Sequence, residues 1–294
     1  RDPKVFWYEP DKNWVMVLNE RDGHSIYNSN NLKDWTFESH ITGFWECPEL
    51  FELPVDNNPN NKKWVMYGAS GTYMIGDFNG KVFTPESGKH YYTTGSAYAG
   101  QTFNNIPNSD GRRIQISWGR ITSKNMPFNM LMLLPTELKL ISTNNGVRLF
   151  STPIDETNLL TDNCNKWENL NVEEADKNLN MYKDEQLLRI KTTIKLSHAT
   201  SAGLDFKGQS LLNYDMNNNT VNGVFYSPVD MTSMEISADI FIDKTSVEVF
   251  IDNGAYSYSF ERKINDQNKG FNFWGNNIQI KNIEVFRLKS IWFN

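Results

Sequence analysis

Cysteine is nearly missing from this sequence, whose 294 residues contain two, Cys47 and Cys164. Two thiols so far apart are too few for a disulfide framework, and they read as free, buried side chains. Long apolar runs are missing as well: nothing approaches 18 consecutive apolar residues, which excludes a transmembrane helix. No block of like charge exceeds a few residues, and the formal net charge of −6 is spread along the chain. Nucleic acid and anionic membranes, which are gripped by clustered Lys and Arg, are therefore not expected as partners. Neither an initiator Met nor a signal peptide precedes Arg1, so a processed or partial chain is expected and the compartment stays unreadable. The Asn-x-Thr sequon at Asn218 does not change that.

Hydrophobic residues at 39%, aromatics at 13% and nine Trp are enough to build real cores, and the length points to two domains. Helical periodicity is scarce. Short runs rich in β-branched and aromatic residues, such as "NWVMVLN", "KKWVMYG", "RRIQISW" and "SVEVFID", are bounded by Asn, Asp, Gly and Pro, so the chain reads as all-β. The stretch "PKVFWYEPDKNWVMVL" matches "PELFELPVDNNPNNKKWVMYG", which sets Trp14 and Trp64 in phase. Each copy continues into a third strand ("HSIYNS", "TYMIGDF") and a fourth ("DWTFES", "KVFTPES"). A weaker third copy runs from "AGQTFNN" through "RRIQISWGRI", with Ile114 where the Trp stood. Four short strands recurring at this period are the pattern of β-propeller blades, with successive meanders of an open sheet as the plainer alternative.

After "GVRLFSTPIDE" the pattern changes. Residues 1–153 are expected to form propeller blades, of which about three are visible. Residues 154–170, polar and irregular, read as a linker, and 171–294 as a β-sandwich of short strands that include "GVFYSP" and "TSVEVFIDNG". In the latter, Val247, Val249 and Ile251 alternate with Ser246, Glu248 and Phe250, and Asp252-Asn253-Gly254 suits a tight hairpin turn.

Laying the blade openings over each other sets "RDPKVF" against "ECPELF", so Arg1 and Asp2 stand in phase with Glu46 and Cys47. First strands of propeller blades line the central channel, and residues entering them sit at one mouth. Asp2 and Glu46 are thus expected to converge there. Glu46, flanked by Trp45 and Cys47, is expected to be partly desolvated with a raised pKa, as suits a proton donor, while Arg1 is expected to keep Asp2 ionised. Two carboxylates in different environments are equipment for glycosidic cleavage. Trp7, Trp45, Tyr98 and Trp118 lie near the inner strands as flat apolar surfaces for a sugar. Strand capping for the acids and core packing for the rings are the competing readings.

The residues "RDPKVFWYE", "WECPELFELP", "YAGQTFNN", "GRRIQISWGRI", "LPTELKL" and "SVEVFI", in this order, resemble the β-fructofuranosidase family, glycoside hydrolase family 32, of levanases, inulinases and invertases. The resemblance implies a five-bladed propeller followed by a β-sandwich, no metal or other cofactor, and retaining cleavage of terminal fructofuranosyl bonds in levan, inulin or sucrose. Glu46 matches the family's general acid/base and Asp2 its transition-state stabiliser; Arg1 and Cys47 match the neighbours that hold them. Trp45, Tyr98 and Trp118 are further candidate sugar contacts. A Trp-x-Asn-Asp-Pro-Asn-Gly-like motif, which carries the family's nucleophile, does not occur in these residues, so no nucleophile is assigned. Ser96 and Ala97 stand where many relatives carry an aspartate, which puts one sugar contact in doubt. Levan- or inulin-type substrates are expected ahead of sucrose. A non-catalytic fructan-binding relative is the alternative, and a propeller acting on arabinan or xylan fits less well. The resemblance leans towards an extracellular setting, and unclosed sheet edges invite association with other chains.

Overall fold

The computed structural model describes residues 1–107, 109–197, 199–225 and 234–291. Tyr226 to Pro228 of the expected strand "GVFYSP" lie outside the described residues, whose strand there is Val224–Phe225. The chain is nearly all β and divides into two compact units, residues 1–120 with 131–151, and 121–130 with 152–294.

In the first unit the repeat becomes two four-stranded antiparallel meanders. One consists of Lys4–Tyr8, Asn13–Glu20, Gly23–Ser29 and Thr36–Thr42; the other of Glu49–Val55, Asn58–Tyr67, Thr72–Phe78 and Phe83–Pro85. Equivalent residues keep equivalent register, Phe6 opposite Val15 in the first blade and Phe51 opposite Val65 in the second. Because strand side chains alternate between faces, each blade has two apolar sides. Val15, Val17 and Ile26 of the first blade share a core with Leu50, Met66, Phe78 and Phe83 of the second. The other face of the second blade, with Phe51, Val65, Tyr67, Tyr73 and Ile75, packs on Leu138, Leu140, Leu149 and Tyr92. Each such fully buried side chain contributes on the order of 1.5–3 kcal/mol.

The third copy departs from a separate blade. Ala97–Thr102 pairs with Ile114–Gly119 as expected, but Ile114–Gly119 then pairs with Thr136–Thr143, which runs parallel to Glu49–Val55 through Leu140 and Val55. The third copy and the second blade therefore form one continuous sheet.

The second unit overturns the linker reading. Within residues 154–170, Asp155–Leu160 is a 3-10 turn and Thr161–Leu170 a ten-residue strand paired with Ile278–Leu288. Seven of that strand's ten residues are exposed and only Trp167 and Leu170 pack against the core, so it carries little of the apolar alternation by which strands are recognised. The helix Val172–Leu179 was also not anticipated, although Asn171 and Glu174 form a capping box at its start. Six antiparallel strands run in the order Tyr256–Glu261, Ser246–Ile251, Glu235–Ile242, Leu188–Leu196, Ile278–Leu288, Thr161–Leu170. Five more run in the order Val224–Phe225, Thr220–Val221, Gln209–Asp215, Ser201–Phe206, Phe271–Gly275. Both sets contribute to one core with the helix, and Val247, Val249 and Ile251 face into it. The turn at Asp252, Asn253 and Gly254 has φ of 45°, 57° and 87°, the left-handed backbone that these residue types tolerate. Cys164 is exposed rather than buried, because it lies on the polar strand; both cysteines are free.

Candidate active site

Each of the first two inner strands is entered through a proline, Pro3 and Pro48, and the residue before each proline has left-handed backbone: φ is 58° at Asp2 and 41° at Cys47. Glu46 (φ 46°) and Ala99 (φ 51°) share that conformation. L-residues other than Asn and Asp adopt it at a cost of roughly 1–2 kcal/mol each, so surrounding contacts must hold them there. Those contacts are present. Asp2 Oδ2 accepts from the Cys47 N–H at 3.2 Å and faces its Sγ at 3.7 Å. The Glu46 N–H donates to Asn19 Oδ1 at 2.8 Å, and the Ala69 N–H donates to the carbonyls of Trp45 (2.9 Å) and Glu46 (3.0 Å). Gly68 admits this turn because a Cβ there would stand 2.8 Å from the Trp45 carbonyl oxygen.

The Glu46 carboxylate is held at both oxygens. Arg1 Nη1 donates to Oε1 at 2.6 Å, and the Tyr98 hydroxyl donates to Oε2 at 2.5 Å. The Tyr98 hydrogen bond, and then the Arg1 hydrogen bond and charge, outweigh the carboxylate's slight desolvation and hold the Glu46 pKa below the usual carboxylate range. This corrects two expectations. Glu46 is not raised by burial, because Trp45 is 55% exposed and gives its neighbour little cover. Arg1 pairs with Glu46 rather than Asp2. The Tyr98 hydroxyl is pushed up to about 12 by burial and by Glu46, and the Cys47 thiol up to about 11 by burial and by Asp2.

Tyr98 lies opposite Trp118 across the strand pair, with the rings edge to face at 6.3 Å, and the Arg120 guanidinium covers the Tyr98 ring at 4.4 Å. The structure thus brings Arg1, Asp2, Glu46, Cys47 and Tyr98 together by direct contact and attaches Trp118 through Tyr98. Trp7 is not tied to this cluster; its indole packs edge-on against Trp14 at 5.2 Å and donates to Glu9. Among the described residues no group of three or more His, Cys, Asp or Glu is placed to hold a metal ion.

At the first residues of the two inner strands lies a buried polar tie that the sequence reading missed. Lys4 Nζ meets Glu49 Oε1 at 2.9 Å, with 9% and 0% of the two side chains exposed. The Thr102 N–H and hydroxyl donate to the two Glu49 oxygens at 3.1 and 2.8 Å, and Lys4 also donates to the Thr102 carbonyl at 3.2 Å. The signal was available: Lys4 and Glu49 each follow the proline of the repeat. Asn19 was missed because a single Asn ending a strand looks like a turn residue.

Comparison with known proteins speaks to the family and the fold. The family model described as glycosyl hydrolases family 32 N-terminal domain matches residues 1–153. A levanase of Bacillus subtilis (strain 168) is 33% identical over 99% of this chain and 51% of its own length. An extracellular exo-inulinase of Aspergillus niger is 27% identical over 87% of this chain and 58% of its own. The chain thus spans little more than half the length of these curated relatives. The crystal structure of an exo-inulinase from Aspergillus awamori superposes with a TM-score of 0.78 at 20% identity, covering 99% of this chain and 68% of that one. A fructofuranosidase from Schwanniomyces occidentalis, complexed with fructosylnystose, gives 0.75 at 19%, covering 99% and 70%. At these identities the two structures speak for the fold.

Proposed function

The chain belongs to glycosyl hydrolases family 32, and on that premise we propose that it forms part of a retaining glycosidase that releases terminal β-D-fructofuranosyl units from fructans, levan- or inulin-type ahead of sucrose. The observation that carries the reading is the Glu46 carboxylate, held between Arg1 and Tyr98 with Asp2 bound to the next peptide. Glu46 protonates the leaving oxygen as a carboxylate attacks the anomeric carbon; it then takes a proton from the water that hydrolyses the fructosyl-enzyme ester. Asp2 accepts hydrogen bonds from fructosyl hydroxyls as positive charge develops on the ring, while Arg1 and Cys47 hold the two acids and Trp45, Tyr98 and Trp118 line the sugar. The attacking carboxylate is assigned to residues outside these 294, since none here lies in a Trp-x-Asn-Asp-Pro-Asn-Gly-like motif.

Glu46 starts ionised, and a donor must start protonated. Sugar filling the mouth supplies the change: it strips water from the carboxylate and draws the Tyr98 hydroxyl towards itself, and both effects raise the Glu46 pKa. In the same reading the second unit is a β-sandwich, and the outer side of the first blade, where Trp7 is 44% and Phe37 51% exposed, receives a further sheet or another chain.

The test is Glu46→Gln in the full natural polypeptide, assayed for fructose release from levan, inulin and sucrose. Turnover should fall roughly a hundred- to ten-thousand-fold while fructose binding is retained. Undiminished turnover removes Glu46 from the acid role. The absent motif also supports a second reading, a fructan-binding protein without turnover; binding with no release by the unaltered polypeptide selects it.

A further inference from the structure

On the last buried position of the strand Asn13–Glu20, alternation reserves a slot for an apolar side chain: Val15 and Val17 are 0% exposed, and Asn19 follows them at 8%. A buried amide is costly unless its hydrogen bonds are made, so an Asn in this slot needs a partner. Its carbonyl oxygen accepts the Glu46 N–H at 2.8 Å, while its backbone exchanges hydrogen bonds with Arg1, the Asn19 N–H reaching the Arg1 carbonyl at 3.2 Å and the Arg1 nitrogen the Asn19 carbonyl at 2.9 Å. One residue therefore touches both segments that carry the candidate acids.

The second blade supplies a control. Counted from Trp14 and Trp64, the equivalent of Asn19 is Ala69, which is 2% exposed. Ala69 repeats the backbone contact, its N–H donating to the Glu46 carbonyl as the Asn19 N–H does to that of Arg1. It has no side chain to offer a neighbouring turn. The Glu46 peptide is thus gripped from two sides by repeat-equivalent residues, at its carbonyl by Ala69 and at its N–H by Asn19.

We propose that Asn19 is a positioning residue for Glu46: its amide oxygen fixes the left-handed turn at Trp45–Cys47 and so aims the carboxylate at the space between Arg1 and Tyr98. Asn19 acts through the Glu46 peptide and touches no reacting atom. The proposal rests on Glu46 being the proton donor for its kinetic consequence alone; the geometric consequence stands by itself.

Asn19→Ala and Asn19→Asp in the full natural polypeptide separate the two. In Asn19→Ala, backbone hydrogen exchange at Trp45–Cys47 should accelerate, and kcat for fructose release should fall roughly ten- to a hundred-fold with little change in KM, the penalty for a misplaced catalytic group. Asn19→Asp keeps the acceptor, so it should restore slow exchange and most of kcat; its charge, placed beside Glu46, should move the Glu46 limb of the pH profile upwards. Unaltered exchange at Trp45–Cys47 in Asn19→Ala overturns the proposal whatever the activity, and so does an unchanged kcat. If the unaltered polypeptide releases no fructose, the functional reading fails, and the exchange comparison still decides the role of Asn19.

Discussion

The first two blades are built on one pattern, yet they differ where it matters. Both carry Trp-Val-Met in the second strand, but Met66 is fully buried whereas Met16 is only partly buried. Opposite the equivalent valines Val15 and Val65, the third strands carry Asn28 and Ile75. Ile75 lies in a core, whereas neither side-chain amide atom of buried Asn28 has a hydrogen-bond partner. His24 on the same strand is 0% exposed and stacked on Phe44, with the Glu46 backbone as its polar neighbour. At the strand entries the charges are opposite: Arg1 stands in phase with Glu46, and Lys4 with Glu49. Those opposite charges meet, at 2.6 and 2.9 Å. A repeat places equivalent side chains of neighbouring blades close together, so a change of sign at a fixed phase produces an ion pair. Separately, the first blade carries the buried polar side chains Asn28 and His24 where the second places Ile75 in a core.

The two ion pairs should differ greatly in consequence, because one is buried and the other lies at the rim. Glu49→Gln leaves Lys4 buried without a counter-charge and should destabilise the unit by about 3–5 kcal/mol in urea unfolding. Exchanging the two residues, Lys4→Glu with Glu49→Lys, should recover most of that loss if the positions are equivalent. A cost below about 1 kcal/mol for Glu49→Gln would show that the tie does not hold the blades.

The next largest effect belongs to His24. Burial lowers its pKa from the ordinary 6.5 to about 4. The unfolded chain therefore binds a proton in a range where the folded chain does not. Stability should be full above pH 6.5 and fall as the pH drops towards 4, by up to roughly 3 kcal/mol. His24→Leu should flatten that part of the urea midpoint against pH; an unchanged slope would place the acid sensitivity elsewhere. The second blade has no buried histidine, so the comparison predicts that the first blade loosens first.

At the rim the expected effects are smallest in stability and are best read in the Glu46 titration. Arg1→Gln should scarcely move the urea midpoint, since the Arg1 side chain is 70% exposed. Both Arg1→Gln and Tyr98→Phe should raise the Glu46 pKa towards the ordinary carboxylate value, because each removes a hydrogen bond that holds it low. Carboxyl carbon shifts followed by NMR would test this; an unmoved Glu46 titration in either variant would remove that partner from the account.

Much of this was legible in the residues. Trp14 and Trp64 announced the repeat, and the strands around them followed from β-branched and aromatic alternation. Val247, Val249 and Ile251 marked their own core face. Legibility failed where a strand had almost no apolar face: Thr161–Leu170 lies on the edge of its sheet, mostly exposed, and turns only Trp167 and Leu170 to the core, too few to alternate. At the candidate site the repeat phase pointed to Asp2 and Glu46 and set Arg1 opposite Glu46, but Arg1 was assigned to the wrong acid. Adjacency in sequence suggested Asp2, whereas the left-handed turns at both strand entries set the Arg1 guanidinium against Glu46.

The residues alone determined the nearly all-β character and the blade repeat and singled out two candidate acids, because periodicity and motif are local properties that need no third dimension. Only the tertiary structure decided which groups surround those acids. Glu46 is held low rather than raised, Asn19 grips its peptide, and Lys4 finds Glu49 beneath it, because burial, field and hydrogen bonding depend on which segments far apart in the chain are brought within about 3 Å.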